Sequence, residues 1–101
     1  MNSARIYVHG ILAAFLEKER NAYRIEYLSS YRGEPISLTL PIREEPYVFD
    51  HFPSFFEGLL PEGLLLEGLL RNCKLDEKDY FGQILAVGQD LVGSVTIEKD
   101  R

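Results

Sequence analysis

Residues 52–70 read Phe-Pro-Ser-Phe-Phe-Glu-Gly-Leu-Leu-Pro-Glu-Gly-Leu-Leu-Leu-Glu-Gly-Leu-Leu, the most apolar stretch of the chain. Pro53 and Pro61 each suit the first turn of a helix, because proline fixes φ and the amide hydrogen that it lacks has no partner there. The residue before a proline is pushed out of the α region, so the chain should bend at Leu60. The stretch therefore predicts two short helices, about 53–59 and 61–71.

The second of these helices carries one apolar stripe and one outlying leucine. On a wheel of about 100° per residue, four leucines share one side, as expected of a core-facing helix: Leu65, Leu66, Leu69 and Leu70. Leu64 falls on the polar side, between Gly68 and Arg71. A single exposed leucine is common in soluble proteins, but on a glycine-flanked helix it would also suit contact with a partner. The wheel leaves both interpretations open.

Alternation of apolar and polar residues predicts β-strands on both sides of this stretch. Four are expected before it and one after it: around Ile6 and Val8, at 11–17, at 23–27, at 36–40, and from Val92 to Ile97. Polar or glycine-containing turns are expected at Gly10, at 17–21 and at 33–35. Short connections of this kind favour antiparallel neighbours, since parallel pairs need long crossovers.

Two further segments complete the expected architecture. Residues 42–51 are predicted to form an irregular linker from which Tyr47, Val48 and Phe49 reach the core. A third helix is expected to begin near Asp76 and end at Gly88, with one face buried: Tyr80, Phe81, Ile84 and Leu85. The prediction is a single α+β domain over 1–101, an antiparallel β meander of about four to five strands packed with two to three short helices.

Composition narrows the classes of function. The net charge is −5 and the pI about 5.0, and no cluster of Lys or Arg is present, which argues against direct binding to nucleic acid or an anionic membrane. The first twenty residues carry Glu17 and Glu19, and no apolar run reaches the roughly 18 residues of a membrane span. A soluble, cytoplasmic protein is expected. Cys73, the only cysteine, excludes an intramolecular disulfide and is expected to be a buried thiol.

No constellation of residues predicts catalysis. Glu57, Glu62 and Glu67 recur every five residues, which places successive carboxylates about 140° apart on a helix and not on one face. His9 and His51 lack the spacing of zinc ligands. Phosphate-binding and kinase signatures are absent too. The residues by themselves therefore favour a small acidic interaction module without cofactor or metal, not an enzyme.

Two motifs carry a family resemblance. Residues 55–63, Phe-Phe-Glu-Gly-Leu-Leu-Pro-Glu-Gly, and residues 79–95, Asp-Tyr-Phe-Gly-Gln-Ile-Leu-Ala-Val-Gly-Gln-Asp-Leu-Val-Gly-Ser-Val, resemble segments of the N-terminal subdomain of HipA-type toxin kinases. The opening Val8-His9-Gly10 fits the start of that subdomain. Gln89 stands where a second glycine is common, and Ser94 where alanine is common.

The resemblance implies a function because the kinase core that follows this subdomain in HipA proteins is not present in this sequence. In HipA proteins it precedes a much larger kinase core, which binds ATP and phosphorylates a serine of an aminoacyl-tRNA synthetase. A chain that ends at Arg101 is similar to the HipS proteins of three-part HipB–HipS–HipT systems, whose kinase HipT lacks this subdomain. The implied role is an antitoxin that binds and inhibits a HipT-like Ser/Thr kinase, and the further partner that the resemblance suggests is a HipB-like helix-turn-helix repressor in a ternary complex.

Other roles remain open at this point. The chain could be a non-inhibitory scaffold or corepressor that links the kinase to the repressor, an activating subunit of a split kinase, or a fragment of a longer HipA chain. In each case docking on a partner requires an exposed apolar surface. The residues expected to form it are Phe55, Phe56, Leu60, Pro61, Glu62, Gly63, Leu64, Leu65 and Arg71.

Overall fold

A computed structural model describes residues 2–91 and 93–100. Its elements in chain order are β1 (Asn2–Val8), β2 (Ile11–Glu19), β3 (Ala22–Tyr27), β4 (Tyr47–Phe49), α1 (Ser54–Glu57), α2 (Gly63–Cys73), α3 (Tyr80–Val87) and β5 (Val95–Lys99). The strands form one sheet in the order β4-β3-β2-β1-β5, and each neighbouring pair is antiparallel. The first four strands are a meander and β5 returns to the free edge of β1, which confirms the predicted α+β fold.

The first hairpin shows how local sequence sets the pairing of β1 with β2 next to the turn; beyond it, an irregularity between Tyr7 and Ile6 shifts the register by one residue. His9 and Gly10 both have positive φ, 51° and 79°, as a two-residue type I′ turn requires. The turn places Val8 opposite Ile11. Val8 then faces the core with Ile6 and Ala4, because alternate residues of a strand share a face.

The core lies on one face of the sheet, under α1 and α3. Ile6, Leu16 and Ile25 from three adjacent strands are fully buried there, together with Phe56 of α1 and Ile84 of α3. The opposite face is polar: Arg24 on β3 forms ion pairs with glutamates on β2 and on its own strand, Glu17 and Glu26. Within the described ranges, no helix is long and apolar enough to cross a membrane.

The predicted strand at 36–40 is wrong. Only an isolated bridge joins Ser37 and Leu40, and the segment is a tight turn stapled by the buried Tyr27. The backbone N–H of Ile36 donates to the Tyr27 hydroxyl at 2.9 Å, and that hydroxyl donates to the carbonyl of Leu40. Ile36 and Leu40 therefore point inward while Leu38 is 97% exposed. The alternation of apolar and polar residues at 36–40 therefore reflects a turn whose two ends, Ile36 and Leu40, are buried, and not a strand.

The fourth strand lies instead where an irregular linker was predicted. β4 pairs with β3 through Tyr47, Val48 and Phe49. Tyr47 and Phe49 pack against the core as expected, but Val48 is 67% exposed because the central residue of the strand faces the other side of the sheet. A strand of three residues after a proline is too short for period-2 alternation to indicate it.

Several predicted boundaries also move. α1 begins directly after Pro53, but Pro61 lies two residues before α2 and not in its first turn. The N-cap of α3 is Asp79, whose carboxylate accepts from the N–H of Gly82 at 2.9 Å. Gly88 ends α3 as predicted. β2 continues to Glu19, through part of the expected turn at 17–21, and β5 continues to Lys99; Val92 lies outside the described residues.

Candidate functional site: the uncovered helix α2

Helix α2 is the one long apolar element that the fold does not cover. None of its residues from Gly63 to Cys73 is buried, and none of its five leucines belongs to the hydrophobic core or to the partly buried side chains packed against it. A leucine-rich helix normally gains its stability by packing an apolar face. The predicted core stripe on this helix is therefore wrong in its degree of burial.

The leucines of α2 differ in exposure only partly as the wheel predicts, because Leu65 was placed on the core stripe and is exposed. Leu66, Leu69 and Leu70 are half-buried on the side of the helix toward the domain. Leu64 is 83% exposed and Leu65 is 76% exposed. The two most exposed leucines are neighbours in the first turn and form one apolar projection, which we call the Leu64–Leu65 knob.

The segment before α2 fixes the position of this knob. Phe56 of α1 is fully buried, and its ring lies 6.4 Å from that of the buried Phe52. Leu59 and Leu60 then pack against the core. Gly63 has a φ of +61°, a conformation that glycine adopts without strain, and it lets α2 start away from the core.

The C-terminal end of α2 is closed by its own backbone. Lys74 adopts a left-handed conformation with φ of 55°, and its N–H donates to the carbonyl of Leu70. The N–H of Leu75 donates to the same oxygen at 3.0 Å, a pattern typical of helix ends. Cys73, in the last turn, is exposed, so the expectation of a buried thiol is wrong; with α2 uncovered, its last turn has no core to enter.

The structure separates the predicted contact residues into two groups. Exposed with the Leu64–Leu65 knob are Glu62, Gly63 and Arg71. Half-buried or buried are Phe55, Leu60, Pro61 and Phe56. The fully buried Phe56 is therefore not part of a contact surface. Its ring lies 5.3 Å from that of Phe55 and holds α1 against the core.

The surroundings of the knob are acidic. Residues 44–70 contain six carboxylates and no Lys or Arg: Glu44, Glu45, Asp50, Glu57, Glu62 and Glu67. All six are exposed. On α2 and its N-cap the knob is flanked by the exposed Glu62 and Glu67 and by the exposed Arg71. The knob is thus an apolar projection in a segment of net negative charge, which suits a partner that offers an apolar recess with basic residues near it.

Four exposed apolar side chains were missed by the sequence analysis: Ile11, Leu38, Ile42 and Val48. Leu38 and Val48 lie in segments whose structure was predicted wrongly, whereas Ile11 begins a strand that was predicted correctly. Within residues 2–91 and 93–100, no group of three His, Cys, Asp or Glu side chains could hold a metal ion.

Comparisons with known proteins agree with the fold and the motifs. Residues 4–98 match the HipA N-terminal domain family. An uncharacterized protein of Haemophilus influenzae is 28% identical over 101 residues, which cover all of this chain and 95% of that protein. The solved N-terminal domain of HipA toxin superposes with a TM-score of 0.79 at 24% identity, covering all of this chain and 94% of that one. The chain therefore belongs to the HipA N-terminal domain family.

Proposed function

We propose that this chain is an antitoxin, which binds and inhibits a HipA/HipT-family Ser/Thr kinase toxin that lacks an N-terminal subdomain of its own. The observation that carries the proposal is α2, a leucine-rich helix with no buried residue. Membership of the HipA N-terminal domain family supports a kinase of HipA type as the partner. The Haemophilus relative, matched over 95% of its length, supports a domain of this size acting as a separate chain.

The energetic argument rests on the exposed leucines. Burial of a leucine side chain stabilises a complex by about 1.5–3 kcal/mol. Covering Leu64 and Leu65 would therefore contribute a substantial share of the binding free energy, in the manner of a helix that lays its apolar face into a groove. The net charge of −5 would accelerate association with a basic cleft and make the association rate fall with added salt.

In this proposal, inhibition results from insertion of the Leu64–Leu65 knob into the cleft of the kinase. The backbone that carries the knob is ordered before binding, because α2 is capped at Lys74 and the preceding helix α1 is fixed by the buried Phe56. The knob would therefore enter a cleft with little loss of conformational entropy. Inside a kinase cleft it would either exclude substrate or hold the lobes in an inactive arrangement. Both modes require contact by the knob, and neither requires a catalytic group from this chain.

The proposal is tested in a kinase assay without the repressor. Autophosphorylation by a HipT-like kinase from the same genome is measured with and without this chain at stoichiometric amounts. Loss of activity is expected. A gain would make the chain the activating subunit of a split kinase, and binding without effect would make it a scaffold; either result would refute inhibition.

Substitution of Leu64 by Asp tests the contact surface. Loss of about 1.5–3 kcal/mol of burial corresponds to roughly 10- to 100-fold weaker kinase binding, measurable by calorimetry. Ile11→Asp is the matched control, since Ile11 is 60% exposed on the first hairpin, away from α2. Both variants should keep the thermal stability of the parent. Equal affinity of the parent and Leu64→Asp would remove the knob from the interface.

A further inference from the structure

The outer edge of the sheet at β4 is open. Among the described residues, no backbone hydrogen bond joins Tyr47, Val48 or Phe49 to any residue outside β3. In an antiparallel pair, successive residues alternate between bonding to the neighbouring strand and pointing both backbone groups away from it. β4 therefore presents free N–H and C=O groups at its outer edge. Edge strands are commonly protected by being very short or by a lysine, a proline or a bulge. β4 is short and follows Pro46, but within Tyr-Val-Phe itself there is no lysine, proline or bulge.

A groove of about 300 Å³ runs beside this edge. Its lining combines the two inward-facing side chains of β4 with the turn at 37–40 and the start of α1: Thr39, Leu40, Tyr47, Phe49, His51, Pro53, Ser54 and Phe55. The rings of Tyr47 and Phe49 are stacked at 6.4 Å, and His51 meets Phe49 edge-on at 6.0 Å. The groove is thus an apolar channel, with room for a side chain of a strand that pairs with β4.

The walls of the groove are held in place before anything binds. The Tyr27 hydroxyl fixes Ile36 and Leu40 on one side, and the Tyr47 hydroxyl donates to the carbonyl of Pro41 at 2.6 Å. A preformed site orders little on binding, which lowers the entropic cost for a ligand. β4 and the groove together suit a ligand whose extended main chain pairs with β4 and whose apolar side chain enters the groove.

Charge around the groove selects the flanking residues of that ligand. Glu44 and Glu45 precede β4, and Asp50, with a side chain 95% exposed, follows it. The hydrogen bond with His51 at 2.8 Å lowers the pKa of Asp50, so its carboxylate stays charged. Arg43, just before these glutamates in the chain, is engaged with the Tyr47 ring at 3.6 Å and with the carbonyls of Glu45 and Pro46. The contact with His51 leaves the Asp50 side chain 95% exposed, so its carboxylate can also pair with a basic residue.

We propose that β4 and this groove form a second binding surface, which takes an extended basic peptide as an added strand. An apolar side chain of the peptide occupies the groove, and a lysine or arginine beside it faces Asp50. The surface is separate from the Leu64–Leu65 knob, so it does not depend on the antitoxin role.

The experiment is an NMR titration of the ¹⁵N-labelled chain with a synthetic peptide, acetyl-Gly-Ser-Lys-Val-Leu-Val-Lys-Ser-Gly-amide. The expected result is shifts of the Tyr47–Phe49 and Ser54–Phe55 amides, and weaker binding when the peptide carries Glu in place of Lys. Two versions N-methylated at alternate residues test the geometry: strand addition predicts that one version loses binding and the other keeps it. No shift at β4 at millimolar peptide, or an equal effect of both versions, would overturn the proposal.

Charge reversal on the protein completes the test. Asp50→Lys should weaken binding of the lysine peptide about threefold or more and improve binding of the glutamate peptide. Asp90→Lys is the matched control, because Asp90 is exposed next to the opposite, β5 edge of the sheet and should change neither affinity. Equal affinities for all variants, or shifts confined to α2, would likewise overturn the proposal.

Discussion

Tyr27→Phe tests whether one buried hydroxyl holds the turn at 37–40. The substitution removes a single oxygen but breaks two hydrogen bonds, one from the N–H of Ile36 at 2.9 Å and one to the carbonyl of Leu40. Both residues are buried, so both backbone groups lose a partner away from water. A buried polar group left unpaired costs about 1–3 kcal/mol. The free energy of unfolding should therefore fall by about 2–6 kcal/mol, the sum for the two groups.

The measurement is urea denaturation with an exposed tyrosine as matched control. Tyr47→Phe also removes one hydroxyl, but its bond to the Pro41 carbonyl is exposed and water can replace it, so a loss of at most about 1 kcal/mol is expected. The urea midpoint should drop for Tyr27→Phe with the slope unchanged. Equal losses for the two variants would refute the idea that the turn is stapled from inside.

The same variant predicts a difference at alkaline pH. Burial raises the pKa of Tyr27 above the ordinary value of 10.0. A group with a raised folded pKa contributes its full stability below the unfolded pKa, and this contribution is lost as the pH rises through the folded pKa. The unfolding free energy of the parent should therefore fall above about pH 10, and the fall should be smaller in Tyr27→Phe. Equal pH dependence in the two proteins would contradict the buried, neutral hydroxyl.

The remaining predictions concern packing and use the same urea assay. Gly88→Ala should destabilise the fold by about 1–3 kcal/mol, because the added Cβ would collide with the carbonyl of Ile97. Gly68→Ala should instead stabilise α2 by about 0.5–1 kcal/mol, because a Cβ at this position meets nothing within 4 Å. Leu16→Ala, in the core, should cost about 2–5 kcal/mol, but Leu65→Ala less than about 0.5 kcal/mol. A large loss for Leu65→Ala, or none for Gly88→Ala, would contradict the packing described.

Much of the architecture could be predicted because it depends on the properties of residues that are close in sequence. His9-Gly10 sets the first hairpin, Ile6 and Ile25 lie in strands whose alternation is set by one buried face, and Gly88 ends α3. The motifs at 55–63 and 79–95 indicated the family that residues 4–98 then matched. Each of these signals spans a few neighbouring residues and needs no knowledge of distant contacts.

The errors share the opposite cause. Alternation at 36–40 indicated a strand, but Tyr27, distant in sequence, bonds both ends of the segment and makes it a turn. β4 was missed because three residues contain no period, and only the free edge of β3 gives them a partner.

The sequence by itself indicated a leucine-rich helix, expected at 61–71 and found at Gly63–Cys73, and it placed Leu64 on the polar side of that helix. It could not determine whether the side of the helix with Leu66, Leu69 and Leu70 would be covered, because hydrophobic burial depends on which surfaces the rest of the chain brings near. The tertiary structure decided this: Phe56 and the inward faces of the strands fill the core with the help of Phe81 and Ile84. The core leaves no residue of α2 fully buried, and Leu64 and Leu65 remain available to a partner.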